Sequence, residues 1–222
     1  MKGFFVTGTD TDCGKTRVAC ALIEKLRGQG LKVAPFKPVA AGARWVNGQL
    51  RNDDALRLIE AAGGGWDYDL VNPYCFEPPV SPHLAAAEAQ RPIELPLILD
   101  AARRLAAAAD LLIVEGAGGW LVPLGDRLDI ADLASALGLP VLLVVGLRLG
   151  CLNHARLSAA QIAASGLPLV GWIGSQLDPA MLYAEANLET LKQCLLMPCC
   201  GVLPHLESGA DASGYVQLHG LL

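Results

Sequence analysis

The stretch Gly8–Thr16, "GTDTDCGKT", limits the fold more than any other part of the chain. It follows the apolar run Gly3–Val6 and opens a segment with helical spacing. A strand, a glycine loop and Gly-Lys-Thr at a helix start are the context of a phosphate-binding loop. The usual loop has four residues between its glycines, whereas this one has five. An ordinary strand-to-helix turn, capped by Thr11 or Asp12, is therefore the alternative interpretation.

If the stretch binds phosphate, each type of group in it has a chemical reason to be there. Consecutive backbone N–H groups and the helix N-terminus face the polyphosphate. The Lys15 ammonium reaches the outer phosphates, and the Thr16 hydroxyl is an oxygen ligand of the kind that Mg²⁺ prefers. Gly14 allows backbone conformations that other residues avoid and lets the phosphate approach closely.

The rest of the chain alternates short apolar runs with longer segments of helical spacing. The apolar runs are nearly continuous, which is typical of strands covered by helices on both faces. The pattern predicts an α/β fold: a three-layer, P-loop NTPase-like domain with a mostly parallel sheet flanked by helices. The predicted strands are Phe4–Thr7, Lys32–Phe36, Leu111–Glu115, Val141–Val145 and Leu169–Ile173. The predicted helices are Thr16–Arg27, Leu95–Ala108, Ile130–Leu137, Leu152–Ala164 and Pro179–Leu195.

Between these segments, residues 40–82 show the least regular pattern. We expect one short helix from about Asp53, followed by long surface loops. The sequence shows no convincing domain boundary, so residues 1–222 are predicted to form a single domain.

Composition excludes several classes of protein. The net charge is -5 and no Lys/Arg run occurs, so binding to nucleic acid through its phosphates is not expected. Apolar runs such as Val141–Val145 are too short to span a bilayer, and the N-terminus has no signal-peptide pattern. Seven cysteines without a CxxC pair are typical of reduced thiols. These features predict a cytoplasmic protein without a membrane or nucleic-acid partner.

Ligands of such folds gather at the carboxyl ends of the strands, where Glu115 and Lys37 stand, and Asp54 is a further candidate from a predicted helix start. Glu115 ends an apolar strand and precedes a glycine-rich stretch, so it is a candidate Mg²⁺ ligand. Asp54 is a second candidate ligand, although at a helix start it would also favour the helix dipole. Lys37 follows another strand and is placed to stabilise charge on a transferring phosphoryl group. A solvated surface lysine is the alternative for Lys37.

With those residues assembled, the sequence resembles the dethiobiotin synthetases over almost its whole length, up to about Ser208. The longer glycine loop is that family's own form. The resemblance rests on the order and spacing of eight strings: Phe5–Thr16 ("FVTGTDTDCGKT"), Lys37–Gly42 ("KPVAAG"), Arg51–Ala55 ("RNDDA"), Val71–Tyr74 ("VNPY"), Ser81–His83 ("SPH"), Val114–Trp120 ("VEGAGGW"), Val144–His154 ("VVGLRLGCLNH") and Pro204–Leu206 ("PHL").

The resemblance implies a ligase of biotin synthesis that uses ATP and Mg²⁺. Its substrates would be 7,8-diaminononanoate and CO₂ or bicarbonate, and the product the cyclic urea dethiobiotin. Catalytic roles would fall to Lys37, Lys15 and Thr11, and magnesium ligation to Thr16, Asp54 and Glu115. The implied ATP-binding residues are Asp12, Cys13, Gly14, Lys15, Thr16, Arg17, Asp54, Glu115, Gly116, Ala117, Gly118, Ser175, Gln176, Pro204, His205 and Leu206.

The resemblance also implies a homodimer in which a neighbouring subunit holds the substrate carboxylate. The implied substrate-binding residues are Ala41, Gly118, Gly150, Cys151, Leu152 and Asn153. Asn153 is also compatible with a helix-capping role, and His154 is interpreted as structural. Two positions depart from the family: Ala41 replaces the usual Ser, and Ser175-Gln176 replaces a purine-reading Asn-Asp pair. Adenine selectivity is therefore open.

Two other functions remain as alternatives on sequence alone. The first is an ATP-dependent amidase of corrinoid side chains, which normally carries a glutamine-hydrolysing domain for which this chain has no room. The second is a partitioning-type ATPase switch, which usually has a signature lysine early in the loop. Here the early positions are Thr9, Asp10 and Thr11.

Overall fold

The computed structural model describes residues 1–206 and 210–218; Ser208, near which the resemblance ends, lies outside them. In chain order the strands are β1 Gly3–Gly8, β2 Val33–Phe36, β3 Val39–Ala40, β4 Arg44–Val46, β5 Gln49–Arg51, β6 Tyr74–Cys75, β7 Leu111–Gly119, β8 Pro123–Gly125, β9 Leu128–Asp129, β10 Val141–Leu147, β11 Leu169–Gln176 and β12 Cys199–Leu203. The helices are α1 Lys15–Gly28, α2 Asp53–Ala61, α3 Tyr68–Val71, α4 Pro82–Glu88, α5 Leu95–Ala107, α6 Ile130–Leu137, α7 Cys151–Ala164 and α8 Ala184–Cys194, with a 3₁₀ turn at Ser213–Tyr215.

A parallel sheet forms the centre of the molecule. Among the described residues it has six strands in the order β12-β11-β10-β1-β7-β2, with every neighbouring pair parallel. Successive side chains of β1 enter different apolar layers, Phe5 on one face and Phe4 and Val6 on the other. Because both faces of the sheet are covered, the three-layer α/β prediction is confirmed.

The five predicted strands are all present, but β10 and β11 run two and three residues past their predicted ends, and two larger features were missed. β7 continues four residues past the predicted end at Glu115, since the following glycine-rich segment still pairs with β1. β12 was not predicted. It is a short edge strand whose sequence "CCGVL" contains a glycine and two cysteines, residue types that carry little strand signal.

The predicted helices are also present, with one displaced start. α8 begins at Ala184, five residues after the predicted Pro179, because Tyr183 adopts a left-handed conformation with φ 54°. A helix cannot continue through such a residue. α1 and α5–α7 match their predictions to within one residue at each end.

The expectation for residues 40–82 is only partly correct. Helix α2 begins at Asp53 as predicted, and Asn52 caps it by accepting hydrogen bonds from the N–H groups of Asp54 and Ala55. The expectation of surface loops after it is wrong, because Val71, Tyr74 and Phe76 are at most 2% exposed and belong to the core. Elements of two to four residues show no sequence period, so the pattern could not reveal them.

Among the described residues, no helix is both long and apolar enough to cross a bilayer. The seven cysteines are all free thiols.

Candidate active site

A cavity of about 1090 Å³ opens at the carboxyl ends of the central strands, the edge where parallel sheets of this kind bind ligands. It is bounded by the glycine loop, by the segment after β2, by α2 and by the ends of β7 and β11. Most of the predicted site residues line it: Thr11, Asp12, Gly14, Lys15, Thr16, Arg17, Lys37, Ala41, Asp54, Glu115, Ala117, Gly118, Ser175, Gln176, His205 and Leu206.

Some predicted residues do not line this cavity. The Cys13 side chain is 1% exposed and packs beneath the loop, with its Sγ 3.8 Å from the Val144 carbonyl oxygen. Any contact between Cys13 and nucleotide is therefore left to its backbone N–H. Gly116 is buried and does not line the cavity, although its carbonyl oxygen lies 3.4 Å from Lys37 Nζ on the cavity floor. Pro204 does not line the cavity either.

The segment Gly150–Asn153 also lies away from this cavity, at the start of α7. The residue at the helix N-cap is Gly150, and no side chain caps the helix, so the capping role considered for Asn153 is wrong. Asn153 and His154 are exposed, and the structural interpretation of His154 stays a prediction. A contact between this segment and the substrate of a neighbouring subunit stays a prediction.

The glycine loop is shaped by backbone geometry and by two charged contacts. Gly14 is the N-cap of α1 with φ 95°, so the alternative in which Thr11 or Asp12 caps the helix is wrong. Lys15 Nζ donates to the Asp10 carbonyl oxygen at 2.7 Å, and the Asp10 carboxylate pairs with Arg148. These contacts hold the loop curled at the mouth of the cavity without a bound nucleotide.

Gly14→Ala is expected to weaken nucleotide binding at least about tenfold and to lower stability. An added Cβ would be strained at φ 95° and would lie 2.2 Å from Ser175 Oγ. Gly28→Ala is the matched control, because Gly28 ends the same helix and an added Cβ there meets nothing within 4 Å. Calorimetric titration with a non-hydrolysable ATP analogue measures both affinities. Equal affinities for the two variants would contradict the tight packing assigned to Gly14.

The four predicted charged and hydroxyl groups meet at the floor of the cavity. Glu115 is 1% exposed, and its Oε1 accepts hydrogen bonds from Lys37 Nζ at 2.6 Å and from Thr16 Oγ1 at 2.8 Å. Lys37 Nζ also lies 3.3 Å from Asp54 Oδ2. Lys37 itself is 4% exposed, so the interpretation as a solvated surface lysine is wrong.

The pKa values of the paired groups reflect this arrangement. Burial lowers the pKa of the Lys37 ammonium, but the carboxylates of Glu115 and Asp54 outweigh burial and raise it overall. Burial raises the pKa of Asp54, whereas the charge of Lys37, whose Nζ lies 3.3 Å from its Oδ2, lowers it overall. Lys37 is therefore cationic and Asp54 anionic at neutral pH.

The residues present fit a magnesium ion. Glu115 Oε2 is buried and has no hydrogen-bond partner among the described residues, so one carboxylate oxygen is left for another ligand. Thr16 and Asp54 add a hydroxyl and a second carboxylate beside it. Within residues 1–206 and 210–218, no three His, Cys, Asp or Glu residues cluster as a metal cage. Mg²⁺ typically takes only one or two carboxylates and completes its shell with phosphate oxygens and water.

Asp54→Asn is expected to reduce the free energy of unfolding at pH 7 more than at pH 3 in metal-free buffer. A carboxylate with a lowered folded-state pKa stabilises the fold above its unfolded pKa, and this stabilisation is lost as pH falls through the folded value. The control is Asp53→Asn, which breaks a surface pair with Arg44 that contributes little. Urea unfolding in EDTA at several pH values measures the difference. A pH-independent Asp54→Asn effect would contradict the ion pair.

Sequence reasoning missed two buried asparagines that support this site. Asn52, the residue that caps α2, also donates through Nδ2 to the Ala41 carbonyl oxygen at 3.3 Å. Asn72 is 2% exposed, and its Nδ2 donates to the Lys37 carbonyl oxygen at 2.6 Å. Both residues lie in strings that carry the resemblance, but a single sequence gives no sign of what an asparagine side chain bonds.

Comparison with known proteins gives a consistent result over nearly the whole chain. A family model described as "AAA domain" matches residues 2–213. The chain is 52% identical to "ATP-dependent dethiobiotin synthetase BioD" of Aromatoleum aromaticum over 95% of this chain and 93% of that protein. Proteins of the same name from Pseudomonas paraeruginosa and Xylella fastidiosa are 49% and 47% identical, over 96% and 95% of this chain and 94% and 93% of theirs.

Solved structures with the same fold are much more distant in sequence. The "MinC:MinD cell division protein complex" of Aquifex aeolicus gives a TM-score of 0.59 at 15% identity, covering 96% of this chain and 85% of the other. The "ParA Family ATPase" of Chlorobium tepidum gives 0.59 at 14% identity, covering 100% and 99%. At this identity the likeness shows the P-loop NTPase fold alone.

Proposed function

The chain belongs to the dethiobiotin synthetase family, and we propose that it forms dethiobiotin from 7,8-diaminononanoate, CO₂ and ATP as a single catalytic domain. The observation that carries this proposal is the cluster of Lys37, Glu115, Thr16 and Asp54 beside the glycine loop. These four side chains come from four separate segments and meet where the outer phosphates of a bound nucleotide would lie.

The proposed reaction has three steps. One amine of the diamine adds to CO₂ and loses a proton, which gives a carbamate. A carbamate oxygen then attacks the γ-phosphorus of ATP, and the bond to ADP breaks, which gives a carbamic-phosphoric anhydride. The second amine attacks the carbonyl carbon of this anhydride, loses a proton and expels phosphate. Phosphorylation is needed because a carbamate is a poor electrophile, whereas its mixed anhydride has a good leaving group.

The residues of the glycine loop have distinct parts in this proposal. Lys15 exchanges its bond to the Asp10 carbonyl for the outer phosphates of ATP. Thr11 lies close to Gly118, where an added Cβ would be 3.6 Å from Thr11 Oγ1. Thr11 also lines the cavity, which supports a role for its hydroxyl in orienting the diamine.

The buried cluster acts on the charge that develops during phosphoryl transfer. Lys37 is held on the floor of the cavity and stabilises negative charge on the transferring group. Thr16, Asp54 and Glu115 would hold Mg²⁺, which when bound neutralises charge on the ATP phosphates. Most of the remaining rate enhancement comes from holding the carbamate in line with the γ-phosphate and near the second amine.

Dimerisation belongs to the proposal as well. The segment Gly150–Asn153 would bind the substrate carboxylate of a neighbouring subunit through N–H groups at the start of α7. In support, Leu149 beside it is 93% exposed and Leu157 on the same helix is 60% exposed, as expected of apolar residues that meet a partner. A cytoplasmic location is supported by the seven free cysteines.

Neither alternative function is favoured by the site. The partitioning-type ATPases share this fold at only 14–15% identity, and the early loop here has Asp10 paired with Arg148 rather than a lysine. The corrinoid amidase reaction needs ammonia from glutamine, whereas the chain aligns over 95% of its length with synthetases of its own size.

The deciding assay measures ADP release from MgATP in the presence of bicarbonate and 7,8-diaminononanoate, with each component omitted in turn. The proposal predicts that release requires the diamine and that dethiobiotin appears in equal amount. ADP release that is unchanged without the diamine would refute it. The same assay with GTP and CTP measures base selectivity, which depends here on Ser175 and Gln176.

A further inference from the structure

The hydroxyl of Tyr68 joins two parts of the site that are distant in sequence. Tyr68 begins helix α3 and does not line the cavity. Its ring lies under the Arg51 guanidinium, with 4.0 Å between the guanidinium carbon and the ring centroid. The hydroxyl accepts one hydrogen bond and donates another, and it also lies 3.5 Å from Cys75 Sγ.

The first bond leads to Asp54. The backbone N–H of Asn52 donates to the Tyr68 hydroxyl at 2.7 Å. Asn52 in turn caps helix α2, and its Oδ1 accepts hydrogen bonds from the N–H groups of Asp54 at 3.1 Å and Ala55 at 3.3 Å. The Tyr68 hydroxyl therefore fixes the point at which the helix that carries Asp54 begins.

The second bond leads to Lys37. The Tyr68 hydroxyl donates to Asn72 Oδ1 at 2.9 Å, which fixes the orientation of this amide. Asn72 Nδ2 then donates to the carbonyl oxygen of Lys37 at 2.6 Å and to that of Tyr74 at 3.3 Å. The Lys37 N–H donates to the Val71 carbonyl oxygen at 2.9 Å, so the same segment holds both backbone groups of Lys37.

We propose that Tyr68 is a positioning residue that sets the distance between the Lys37 ammonium and the Asp54 carboxylate through the side chains of Asn72 and Asn52. The inference rests on the proposed function, because it assigns Tyr68 to the alignment of the groups that act on the transferring phosphate. Small displacements of such groups lower the reaction rate strongly. Residues that hydrogen-bond to a metal ligand typically change metal affinity or activity by about 10- to 100-fold when they are mutated.

The protonation state of Tyr68 suits this role. Burial and the contact with Cys75 raise the pKa of the hydroxyl. The group therefore keeps its proton, and its bond to Asn72, at neutral pH.

Tyr74 provides a matched control in the same part of the core. Its hydroxyl also accepts a hydrogen bond from the N–H of a helix N-cap residue, Glu94 at 3.0 Å, and an arginine, Arg91, lies 4.9 Å above its ring. This hydroxyl bonds neither Asn52 nor Asn72, so Tyr74→Phe removes an equivalent hydrogen bond without touching the connection to Lys37 and Asp54.

The test compares Tyr68→Phe with Tyr74→Phe and with the unmodified protein. Both variants are expected to lower the melting temperature, and Tyr68→Phe the more, because its hydroxyl makes two hydrogen bonds whereas the Tyr74 hydroxyl accepts one, from Glu94. Only Tyr68→Phe is expected to lower kcat, by about 10- to 100-fold, and to weaken Mn²⁺ binding in the presence of a non-hydrolysable ATP analogue by about tenfold. The affinity for the analogue in the absence of metal is expected to stay within about threefold, because the glycine loop does not depend on Tyr68.

The proposal is overturned if Tyr68→Phe keeps kcat and Mn²⁺ affinity within twofold of Tyr74→Phe. If Tyr68→Phe does not fold at the assay temperature, Asn72→Ser replaces it, and the same losses are expected because serine is too short to reach the Lys37 carbonyl. Mn²⁺ binding, followed by electron paramagnetic resonance, needs no turnover. Should the unmodified protein release no diamine-dependent ADP, the proposed function fails while this titration still decides the role of Tyr68.

Discussion

We expect Lys37→Ala to lower diamine-dependent turnover by about 100- to 1000-fold while the affinity for MgATP changes only a few-fold. Lys37 is buried at the floor of the cavity, 2.6 Å from Glu115 and 3.3 Å from Asp54. Its charge is excluded from water, so its interaction with a developing anion is strong. In the proposed function the glycine loop and Lys15 bind the nucleotide, and Lys15 Nζ is held by the Asp10 carbonyl oxygen rather than by Lys37 or its partners.

Single-turnover kinetics with ATP, together with calorimetric binding of a non-hydrolysable analogue, separate the two effects in Lys37→Ala. The control is Lys192→Ala, which removes a surface lysine paired with Glu189 three residues away on one helix; neither rate nor affinity should change. A Lys37→Ala variant that loses analogue binding in proportion to its rate would make Lys37 a binding residue, and the catalytic role would be withdrawn.

We expect either single substitution of the buried ion pair, Glu115→Gln or Lys37→Met, to lower the free energy of unfolding by about 3 kcal/mol in metal-free buffer. Lys37 is 4% exposed and Glu115 is 1% exposed, so each change leaves a charge in the interior with its main partner gone. The double variant removes both charges. Its loss of unfolding free energy is expected to be at least about 2 kcal/mol smaller than the sum of the losses in the two single variants.

Urea unfolding of the four proteins in EDTA completes this double-mutant cycle. Additive losses would contradict the pairing of Lys37 with Glu115. The same four proteins give a second comparison when Mg²⁺ is restored with a nucleotide analogue. The unmodified protein should gain stability by ligand binding, and the two variants that carry Glu115→Gln should gain less because a proposed magnesium ligand is missing.

Much of the fold was predictable because its central elements carry strong local signals. The strand-loop-helix around Gly14 combines a hydrophobic run, a glycine and a helical period, and the structure places α1 within one residue of the prediction. The remaining central strands are continuous apolar runs of similar character. β12 and the short elements between Val71 and Phe76 escaped prediction, since their place in the core depends on contacts with distant residues.

The candidate site was predictable in part for the same reason. Lys37 and Glu115 each follow or end an apolar strand, and the geometry of a parallel sheet brings such positions to one edge. The bond between Thr16 and Glu115 spans 99 residues of sequence, and no local pattern contains it. The supporting bonds of Tyr68 and Asn72 are less visible still, because they depend on side-chain orientation inside the core.

A crystal structure with Mg²⁺ and a non-hydrolysable ATP analogue tests the central claim most directly. The account predicts a metal ion bound by Thr16 Oγ1 and by the carboxylates of Asp54 and Glu115 at about 2.1 Å, with the ammonium groups of Lys15 and Lys37 on the terminal phosphate. A triphosphate bound elsewhere, or a metal ion with none of these three ligands, would contradict it.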